Sequence, residues 1–452
     1  MCIKNQKIFS IISCILSFNI IFSSLAHARN VPIIRDAEIE NMIQSLARPL
    51  LSVAGIPNTG TKIIIVRNRE FNAFVSDPGR IFINMGAIMD TKTPNQLSGV
   101  IAHEIGHLAG SHLSRLRERL KRARTLAIVS ALFGAGTSIA GAAQGNSDVT
   151  ALGQGIAAGG STAAMRDLLS YRRSEELAAD KAGLSYLRAT KQSAKGMIEV
   201  FEKFASQSMF LKNSIDPYSQ SHPMPRDRIA STLKSAQASP YYDKQVSAQD
   251  QLRYDLIKAK LAAYTTSATT ILKRYKKSDN SLPAVYARAI ALYRSKGVKD
   301  ALPLVNRLIN SAPKYAYFHE FKGQIYLETA QPKAAIAPLR EAVKLNPNSG
   351  LIRVTYGRAL LALNNDKSHN EAIKQLERGL RLDPQIIIGH RQLAIAYGAK
   401  GQIGKAELAT ARAYLYSGRT DLTAHHAKRA KEKLKRGSPS WLQADSLANI
   451  NK

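Results

Sequence analysis

The chain has 452 residues, of which 45% are hydrophobic, and its formal net charge at pH 7 is +31. This length suffices for two or three domains with a sizeable core. The basic residues are spread along amphipathic helices and form no single recognition block, so nothing beyond net charge favours nucleic-acid binding. The charge fits contact with an anionic membrane surface or an acidic envelope polymer, or only lineage composition and solubility.

Residues 1–28 have the pattern of a secretory signal peptide. Lys4 and Lys7 precede the apolar run Ile8–Leu25, and Ala26-His27-Ala28 is a small-residue cleavage site. We therefore expect export and cleavage after Ala28. Because the apolar run is slightly long, an uncleaved N-terminal anchor is the alternative.

Both cysteines, Cys2 and Cys14, lie within this signal. The mature chain then has no thiol for a disulfide, a nucleophile or a metal ligand. Any metal site must be built from histidines and carboxylates.

The first elements of the mature chain predict a helix followed by a small sheet. Apolar residues recur with helical spacing over 36–54, and short strands are expected over 61–66, 72–75 and 80–84 with a turn at 76–79. A second helix is expected to begin at Thr93, as N-cap, with Pro94 and a capping-box Gln96, and to run to about Leu113.

That second helix contains an H-E-x-x-H motif, His103-Glu104-Ile105-Gly106-His107. Residues four apart lie on one helix face, so His103 and His107 can bind one metal ion, and Glu104 can act as general base. Ordinary surface residues are the alternative, but the flanking residues are apolar and predict a buried helix. His112 lies off the ligand face and is predicted to be a solvated or capping residue.

Residues 125–165 form an Ala/Gly-rich segment with one charged residue, Asp148. Its apolar runs Leu126–Ala135 and Ile156–Ala164 are shorter than the roughly 20 residues that span a bilayer. Two hypotheses, which are not exclusive, stay open: a mobile helical hairpin over the metal cleft, and a segment that contacts a membrane. A transmembrane hairpin is a third. In the membrane hypotheses basic residues just before the segment would face lipid phosphates, namely Lys121, Arg122 and Arg124.

Another helix is predicted to start at Ser174 and to carry Glu176 and Asp180 on one face. A two-histidine zinc site needs a third protein ligand, for which Glu176 is the best candidate. Asp180 could orient a ligand histidine through its second ring nitrogen. Without the H-E-x-x-H motif these charges would indicate only a solvated face. Further on, His222 precedes Pro223 in a loop, and Pro225 suits a helix start.

Beyond residue 250 the pattern changes to paired helices with a repeat. Helix-ending prolines at 313, 347 and 384 are 34 and 37 residues apart, and small residues recur at the same spacing: Ala289, Gly323, Gly357 and Ala394. This is the tetratricopeptide period, which predicts a solenoid of helix pairs. Trp441 is expected to anchor a terminal cap.

The motif at 103–107, followed roughly 70 residues later by Glu176-x-x-Ala179-Asp180, resembles the M48 family of zinc metallopeptidases. With the export signal and the repeats, it is similar to the periplasmic BepA-like branch. The resemblance implies an α+β fold: a mostly helical gluzincin-type metallopeptidase domain with a small sheet over 29–250, then an all-α tetratricopeptide-repeat solenoid over 251–452.

The resemblance also implies roles for individual residues. His103, His107 and Glu176 would bind one zinc ion per chain, with Glu104 as general base and Asp180 behind the ligands. His222 would be a gating ligand that can fill the open position of zinc and hold the enzyme inactive. The strand Asn72-Ala73-Phe74 would be the edge strand on which a substrate peptide adds.

The expected function is that of a periplasmic zinc endopeptidase that degrades unfolded or misassembled outer-membrane proteins or assists their assembly. The repeats would bind outer-membrane assembly machinery, with peripheral contact to an anionic membrane and no nucleic acid as partner. One alternative is a chaperone-like binding protein with a latent, His222-gated metal site. The other is an integral membrane M48 protease using the 126–165 hairpin.

Overall fold

The computed structural model describes residues 32–57, 61–77, 79–144, 147–210, 217–223 and 226–450. Within these ranges the chain has one four-stranded sheet and is otherwise mostly helical, which confirms the predicted α+β class followed by an all-α region. The signal peptide predicted over 1–28 and the helix start predicted at Pro225 lie outside the described residues.

The strands are β1 (Ile33–Ile34), β2 (Lys62–Val66), β3 (Ala73–Asp77) and β4 (Arg80–Asn84). The helices of the first half are α1 (Ala37–Val53), α2 (Met85–Asp90), α3 (Pro94–Ala109), α4 (His112–Ala143), α5 (Ser147–Ala189), α6 (Lys195–Phe210), α7 (Pro217–Ser221) and α8 (Arg226–Gln237). Those of the second half are α9 (Ala248–Thr265), α10 (Ala268–Arg274), α11 (Leu282–Lys296), α12 (Val298–Ser311), α13 (Ala316–Glu328), α14 (Pro332–Leu345), α15 (Gly350–Leu361), α16 (Asp366–Leu382), α17 (Ile387–Ala399), α18 (Ile403–Tyr416), α19 (Thr420–Lys433) and α20 (Pro439–Ala448).

The sheet has the strand order β1-β2-β4-β3, so β3 lies at an edge. Strands β2 and β4 are parallel, whereas β1 and β3 run antiparallel to their neighbours. The helix with the H-E-x-x-H motif, α3, contacts β3. The sheet edge and the motif are therefore neighbours in the fold.

Helix α3 is buried on almost all sides, as its apolar sequence predicts. Val100, Ile101 and Ile105 are at most 1% exposed and belong to a core shared with α1, the sheet and α6. A side-chain carbon at Gly106 would lie 2.6 Å from the backbone oxygen of Ala179 on α5. Glycine at this position lets α3 and α5 approach closely, which brings the two predicted metal-binding segments together.

The ends of two helices differ from the sequence prediction. Helix α3 is capped by Thr93, whose hydroxyl accepts from the backbone N–H of Gln96, but it ends at Ala109 instead of Leu113. The cause is Ser111, whose φ of 52° is left-handed and breaks the helix before α4 begins. Ser174 does not cap a helix, because α5 already starts at residue 147.

Helices α4 and α5 pack against each other as a long antiparallel pair, the α4–α5 hairpin. Among the described residues, one helix, His112–Ala140 within α4, is long and apolar enough to cross a membrane by length and composition, and almost none of its apolar stretch is buried in the protein. The predicted segment 125–165 is the outer part of this hairpin.

The second half consists of helix pairs in which small residues allow close packing, as the repeat predicted. A side-chain carbon at Gly323 would lie 2.4 Å from Leu339, and one at Gly357 would lie 2.7 Å from Leu376. Helix α9, which spans the predicted domain boundary at residue 250, contributes Tyr254 to the first core and Leu256 to the second. Trp441 lies in the last helix, and Lys431 of α19 lies 4.9 Å from the centre of its ring.

A buried polar cluster, here called the α1–repeat cluster, joins the start of α1 to the repeats. Glu38 is 1% exposed and accepts hydrogen bonds from Lys260 at 3.1 Å, Tyr286 at 2.9 Å and Tyr315 at 2.7 Å. Lys260 also pairs with Asp36 at 2.7 Å. These bonds tie the first half of the chain to the helix pairs of the second.

Candidate metal centre

Three segments bring four metal-binding side chains to one point. Helix α3 presents His103 and His107 one turn apart, α5 presents Glu176, and the residue after α7 is His222. One ligand atom from each of the four lies within 4.8 Å of all the others. The structure thus brings together the three predicted ligands and the predicted gating histidine.

The distances within the group are those of side chains that surround a shared position. His103 Nε2 lies 3.0 Å from His107 Nε2 and 3.1 Å from His222 Nδ1. The Glu176 carboxylate lies 3.4 Å from His103 Nε2, 3.3 Å from His107 Nε2 and 3.1 Å from His222 Nδ1. Three histidine nitrogens and one carboxylate form a donor set of the tetrahedral type that zinc takes.

Asp180 determines which nitrogen of His103 is free. His103 Nδ1 donates to Asp180 Oδ1 at 2.8 Å, so the lone pair of Nε2 points to the shared position. Arg228 fixes Asp180 through two bonds of 2.6 and 2.8 Å and also lies 3.0 Å from Glu176. Asp180 is therefore positioned behind the ligands, as predicted. Arg228, to which the sequence analysis gave no role, holds both carboxylates.

His112 determines which ring nitrogen of His107 is free. The predicted solvated or capping residue is 6% exposed and lies with its Nδ1 2.9 Å from His107 Nδ1. Its Nε2 donates to Glu175 at 2.8 Å, because a carboxylate can only accept. A neutral His112 then accepts from His107 Nδ1–H, which leaves His107 Nε2 free for a metal. The prediction for His112 was wrong because the break at Ser111 turns it back towards α3.

Glu104 is the buried carboxylate beside this group. It is 1% exposed, and its Oε1 lies 3.4 Å from His222 Nε2. Within the described part of the chain, neither Glu104 Oε1 nor His222 Nε2 makes a hydrogen bond. Buried polar atoms are normally paired, so these two atoms mark a place where a water, a substrate or an ion belongs.

The segment around His222 is held from three sides. The backbone N–H of His222 donates to Tyr218 at 2.7 Å, Arg172 of α5 donates to the Ser221 carbonyl at 3.1 Å, and Arg228 donates to the Pro223 carbonyl at 2.7 Å. His222 is itself 6% exposed. The imidazole is thus fixed inside the ligand group.

Burial and neighbouring charges shift the titration of the ligands. Burial lowers the pKa of His103, but hydrogen bonds to Asp180 and Glu176 outweigh it and raise that pKa to about 9. Burial lowers the pKa of His107 to about 3. A bound cation would displace a proton from His103 and add its own charge to this balance.

The two carboxylates are shifted in opposite directions. Burial raises the pKa of Glu104, which suits a group that must take up a proton near neutral pH. Burial would also raise the pKa of Glu176, but the neighbouring histidines His222, His103 and His107 hold it well below its usual range. Glu176 is therefore anionic, as a metal ligand must be.

The predicted substrate strand lies at the sheet edge, close to this group. Ala73 and Phe74 are part of β3, and Asn72 directly precedes it. Arg117 of α4 donates to the Ser76 carbonyl of the same strand at 3.1 Å. Asn72 Oδ1 is buried and, among the described residues, makes no hydrogen bond.

Comparison with known proteins bears on the whole arrangement. A model of peptidase family M48 matches residues 34–236, which contain the sheet, α3, α5 and the four converging side chains. Residues 34–236 are a peptidase family M48 domain. The M48 domain makes the chain a metalloprotease. A model described as anaphase-promoting complex, cyclosome, subunit 3 matches residues 294–379, within the tetratricopeptide-type helix pairs.

Curated relatives extend the likeness along most of the chain. The beta-barrel assembly-enhancing protease of Yersinia pestis is 25% identical over 422 residues, which cover 92% of this chain and 84% of the relative. The protein of that name from Escherichia coli strain K12 is 24% identical over 424 residues, with coverage of 92% and 84%. Among solved structures, the tetratricopeptide-repeat protein YrrB is similar with a TM-score of 0.32 and 20% identity, covering 39% of this chain and 91% of its own.

Proposed function

We propose that the protein is a zinc-dependent endopeptidase with one zinc ion per chain, held by His103, His107 and Glu176. The observation that carries this proposal is the convergence of their ligand atoms with that of His222 within 4.8 Å. The M48 domain supports a metal, and the donor set supports zinc, since two histidines and one carboxylate leave a fourth position for chemistry. The only cysteines in the sequence are Cys2 and Cys14, both within the predicted signal peptide, so the metal site is not built from cysteine thiolates.

Zinc, when bound, would polarise the scissile carbonyl and increase the acidity of water at the site. The chain supplies the proton transfers. Glu104 would take the proton of the attacking water and give it to the leaving amine, a role that its raised pKa supports. Asp180 and His112 keep the two ligand imidazoles oriented throughout, because each fixes the position of the second ring proton.

His222 acts in this proposal as a latch. Its Nδ1 lies among the ligand atoms, where it would fill the fourth position, and its Nε2 faces Glu104 at 3.4 Å. It therefore covers both the metal position and the base. Release of the segment around His222, which Arg172 and Arg228 now hold, would open the site to a peptide.

We further propose that the substrate peptide adds to β3 as an extra strand. The edge position of β3 and its contact with α3 support this role for Asn72, Ala73 and Phe74. Backbone hydrogen bonding along an edge accepts many sequences, which suits a protease for unfolded chains. Arg117, bonded to Ser76, would have to yield part of that edge.

The proposed substrates are unfolded or misassembled outer-membrane proteins in the periplasm. Support comes from two relatives named beta-barrel assembly-enhancing proteases and from the export pattern at the N-terminus. The repeats would bind partners in outer-membrane assembly, since stacked helix pairs form extended protein-binding surfaces.

The direct test is Glu104→Gln in the mature protein, with zinc content measured alongside cleavage of an unfolded protein such as casein. Glutamine keeps the shape of the base but cannot accept the proton, so the rate should fall roughly 10²- to 10⁴-fold while zinc stays bound. Retained cleavage at equal zinc content would contradict the proposal.

The second candidate function is protein binding with a metal site that is mostly latent. The position of His222 inside the ligand group favours it. The two candidates differ in one outcome: a latent binding protein would show no cleavage even when His222 is removed and zinc is bound.

A further inference from the structure

The α4–α5 hairpin differs from the rest of the protein in the side chains that it buries. Where the two helices touch, the residues are small. A side-chain carbon at Gly160 would lie 1.9 Å from Ser130 Oγ, and one at Gly153 would lie 2.4 Å from Ser138 Oγ and 2.5 Å from the Gly134 carbonyl. Helix pairs that bury glycine and serine against each other are typical of the membrane interior, where packing of small residues replaces the hydrophobic effect.

The large apolar side chains of the same helices point outward. Phe133 and Ile139 are each 70% exposed, and Leu132 is 68% exposed. Others on the same part of the hairpin are between 39% and 60% exposed: Leu126, Ile128, Val129, Leu152, Ile156 and Met165. In water, outward apolar residues on two neighbouring helices form an extended unburied surface, which soluble proteins rarely leave without a partner.

Hydroxyl groups on the hairpin are bonded within it. Thr125, Thr137 and Thr162 each donate to the carbonyl four residues earlier, at 3.0, 2.8 and 2.9 Å, and Ser138 donates to the Thr150 carbonyl at 3.1 Å. Each of these groups can therefore leave water without losing its hydrogen bond.

Charge is distributed along the hairpin as a bilayer would require. Between residues 125 and 165 the only charged residue is Asp148, which lies in the first turn of α5. Immediately outside these limits, exposed basic side chains surround the hairpin: Lys121, Arg122, Arg124 and Arg166. Closer to the metal centre the stem charges are paired, Arg119 with Asp167 at 2.9 Å and Arg115 with Glu175 at 3.0 Å. The unburied apolar part thus ends at a basic ring.

We propose that residues 126–144 and 147–165, here called the hairpin tip, insert into a lipid bilayer whose headgroups are anionic, with the basic ring at the headgroup level. A second copy of the chain would be a poor occupant, because side-by-side tips would bring two basic rings together. Anionic lipid satisfies both the apolar tip and the ring, because each basic residue near an anionic surface is attracted to it.

The length of α4 determines how deeply the hairpin can insert. At 1.5 Å per residue, Leu126 to Ala143 spans roughly 27 Å, close to the thickness of the hydrocarbon layer, so Asp148 in the first turn of α5 reaches the opposite headgroups. His112, beside the metal ligand His107, is separated from Leu126 by roughly 21 Å of helix. If the protease function proposed above holds, the site works on chain segments about 20 Å from the membrane surface.

The test is flotation of the full mature protein with vesicles of phosphatidylcholine, alone or mixed with anionic phosphatidylglycerol. Ile139→Asp is compared with Ile395→Asp, its control on α17, whose isoleucine is 55% exposed. We expect the parent and the control to bind anionic vesicles in low and high salt, and Ile139→Asp to bind about 100-fold more weakly.

Two further measurements separate insertion from surface attraction. Replacing Lys121, Arg122 and Arg124 by glutamine should weaken binding to anionic vesicles about 5-fold per residue and leave binding to neutral vesicles unchanged. In Leu132→Trp, the fluorescence of the introduced indole should be quenched by lipids brominated in the acyl chain, whereas that of the native Trp441 on α20 should not.

The inference is overturned if the parent does not float, if salt alone releases it, or if Ile139→Asp and Ile395→Asp behave alike. It is also overturned if the parent self-associates without vesicles and Ile139→Asp restores the monomer, since the occupant is then a second copy. Vesicle binding without cleavage of any protein would contradict the proposed function and leave the membrane contact standing.

Discussion

The metal centre and the α1–repeat cluster both bury ionisable side chains, and they differ in how those groups are partnered. In the α1–repeat cluster, Glu38 accepts three hydrogen bonds and Lys260 has two carboxylate partners. In the metal centre the groups behind the ligands are equally well bonded, but four ligand atoms lie within 4.8 Å of one another, and Glu104 Oε1 makes no hydrogen bond among the described residues. Lone pairs that meet at one point distinguish a ligand site from a structural polar cluster.

The largest expected effect comes from replacing one buried glutamate in each cluster by glutamine. Glu176→Gln removes the anionic ligand, so zinc binding and proteolysis should both be lost, with a rate at least about 10³-fold lower. Glu38→Gln should lower the unfolding free energy by roughly 3 kcal/mol, because it uncouples a buried ion pair, yet keep the zinc. Zinc content and thermal midpoints check both, and loss of zinc in Glu38→Gln would refute the distinction.

The second prediction concerns the orienting histidine. His112→Phe keeps the ring but removes both nitrogens that connect His107 to Glu175, so zinc affinity should fall about 10- to 100-fold. The matched control is His390→Phe, since His390 is also buried, at 2% exposure, but its Nε2 bonds to the Pro384 carbonyl and its Nδ1 makes no hydrogen bond among the described residues. Competition with a chelator measures the affinity, and equal affinities for the two variants would contradict the role of His112.

The smallest expected effect is a pH dependence beside the α1–repeat cluster. Burial raises the pKa of Glu320 to about 8, and its buried Oε2 makes no hydrogen bond among the described residues. Between the unfolded pKa, near 4.5, and about 8 the folded chain holds a proton that the unfolded chain has lost, so stability falls as pH rises through this window. Glu320→Gln removes this loss of stability, because glutamine does not titrate.

Thermal midpoints of the parent and Glu320→Gln should therefore agree near the bottom of the window and diverge towards its top. At the upper end the variant should be more stable than the parent. A difference that shrinks with rising pH would show that Glu320 is not the buried acid that the geometry implies.

Sequence reasoning worked where the chemistry is local. The spacing alone placed His103 and His107 on one face of a helix, with Glu104 directly after the first histidine. Glu176 and Asp180 were named from their helical spacing and from the need for a third ligand, but their approach to α3 depends on the close contact at Gly106, which is tertiary. The convergence of His222 with them likewise depends on packing that no periodicity encodes.

The misses have identifiable causes. His112 was placed by continuing the helix beyond Ala109, and the left-handed Ser111 invalidates that extrapolation. Arg228 stands next to the His222 segment in sequence, but its bonds to Asp180 span 48 residues. For the hairpin, the apolar runs were visible, but not that small residues would face inward and Leu132 and Phe133 outward.

The measurement that tests the central claim most directly is casein cleavage by the mature protein, parent against His222→Ala, each with zinc content determined. The account predicts higher activity in the variant, by about 10-fold or more at equal zinc, since alanine leaves the fourth position and Glu104 uncovered. Activity no higher than in the parent would contradict the latch. No activity in either, with zinc bound, would contradict the protease itself.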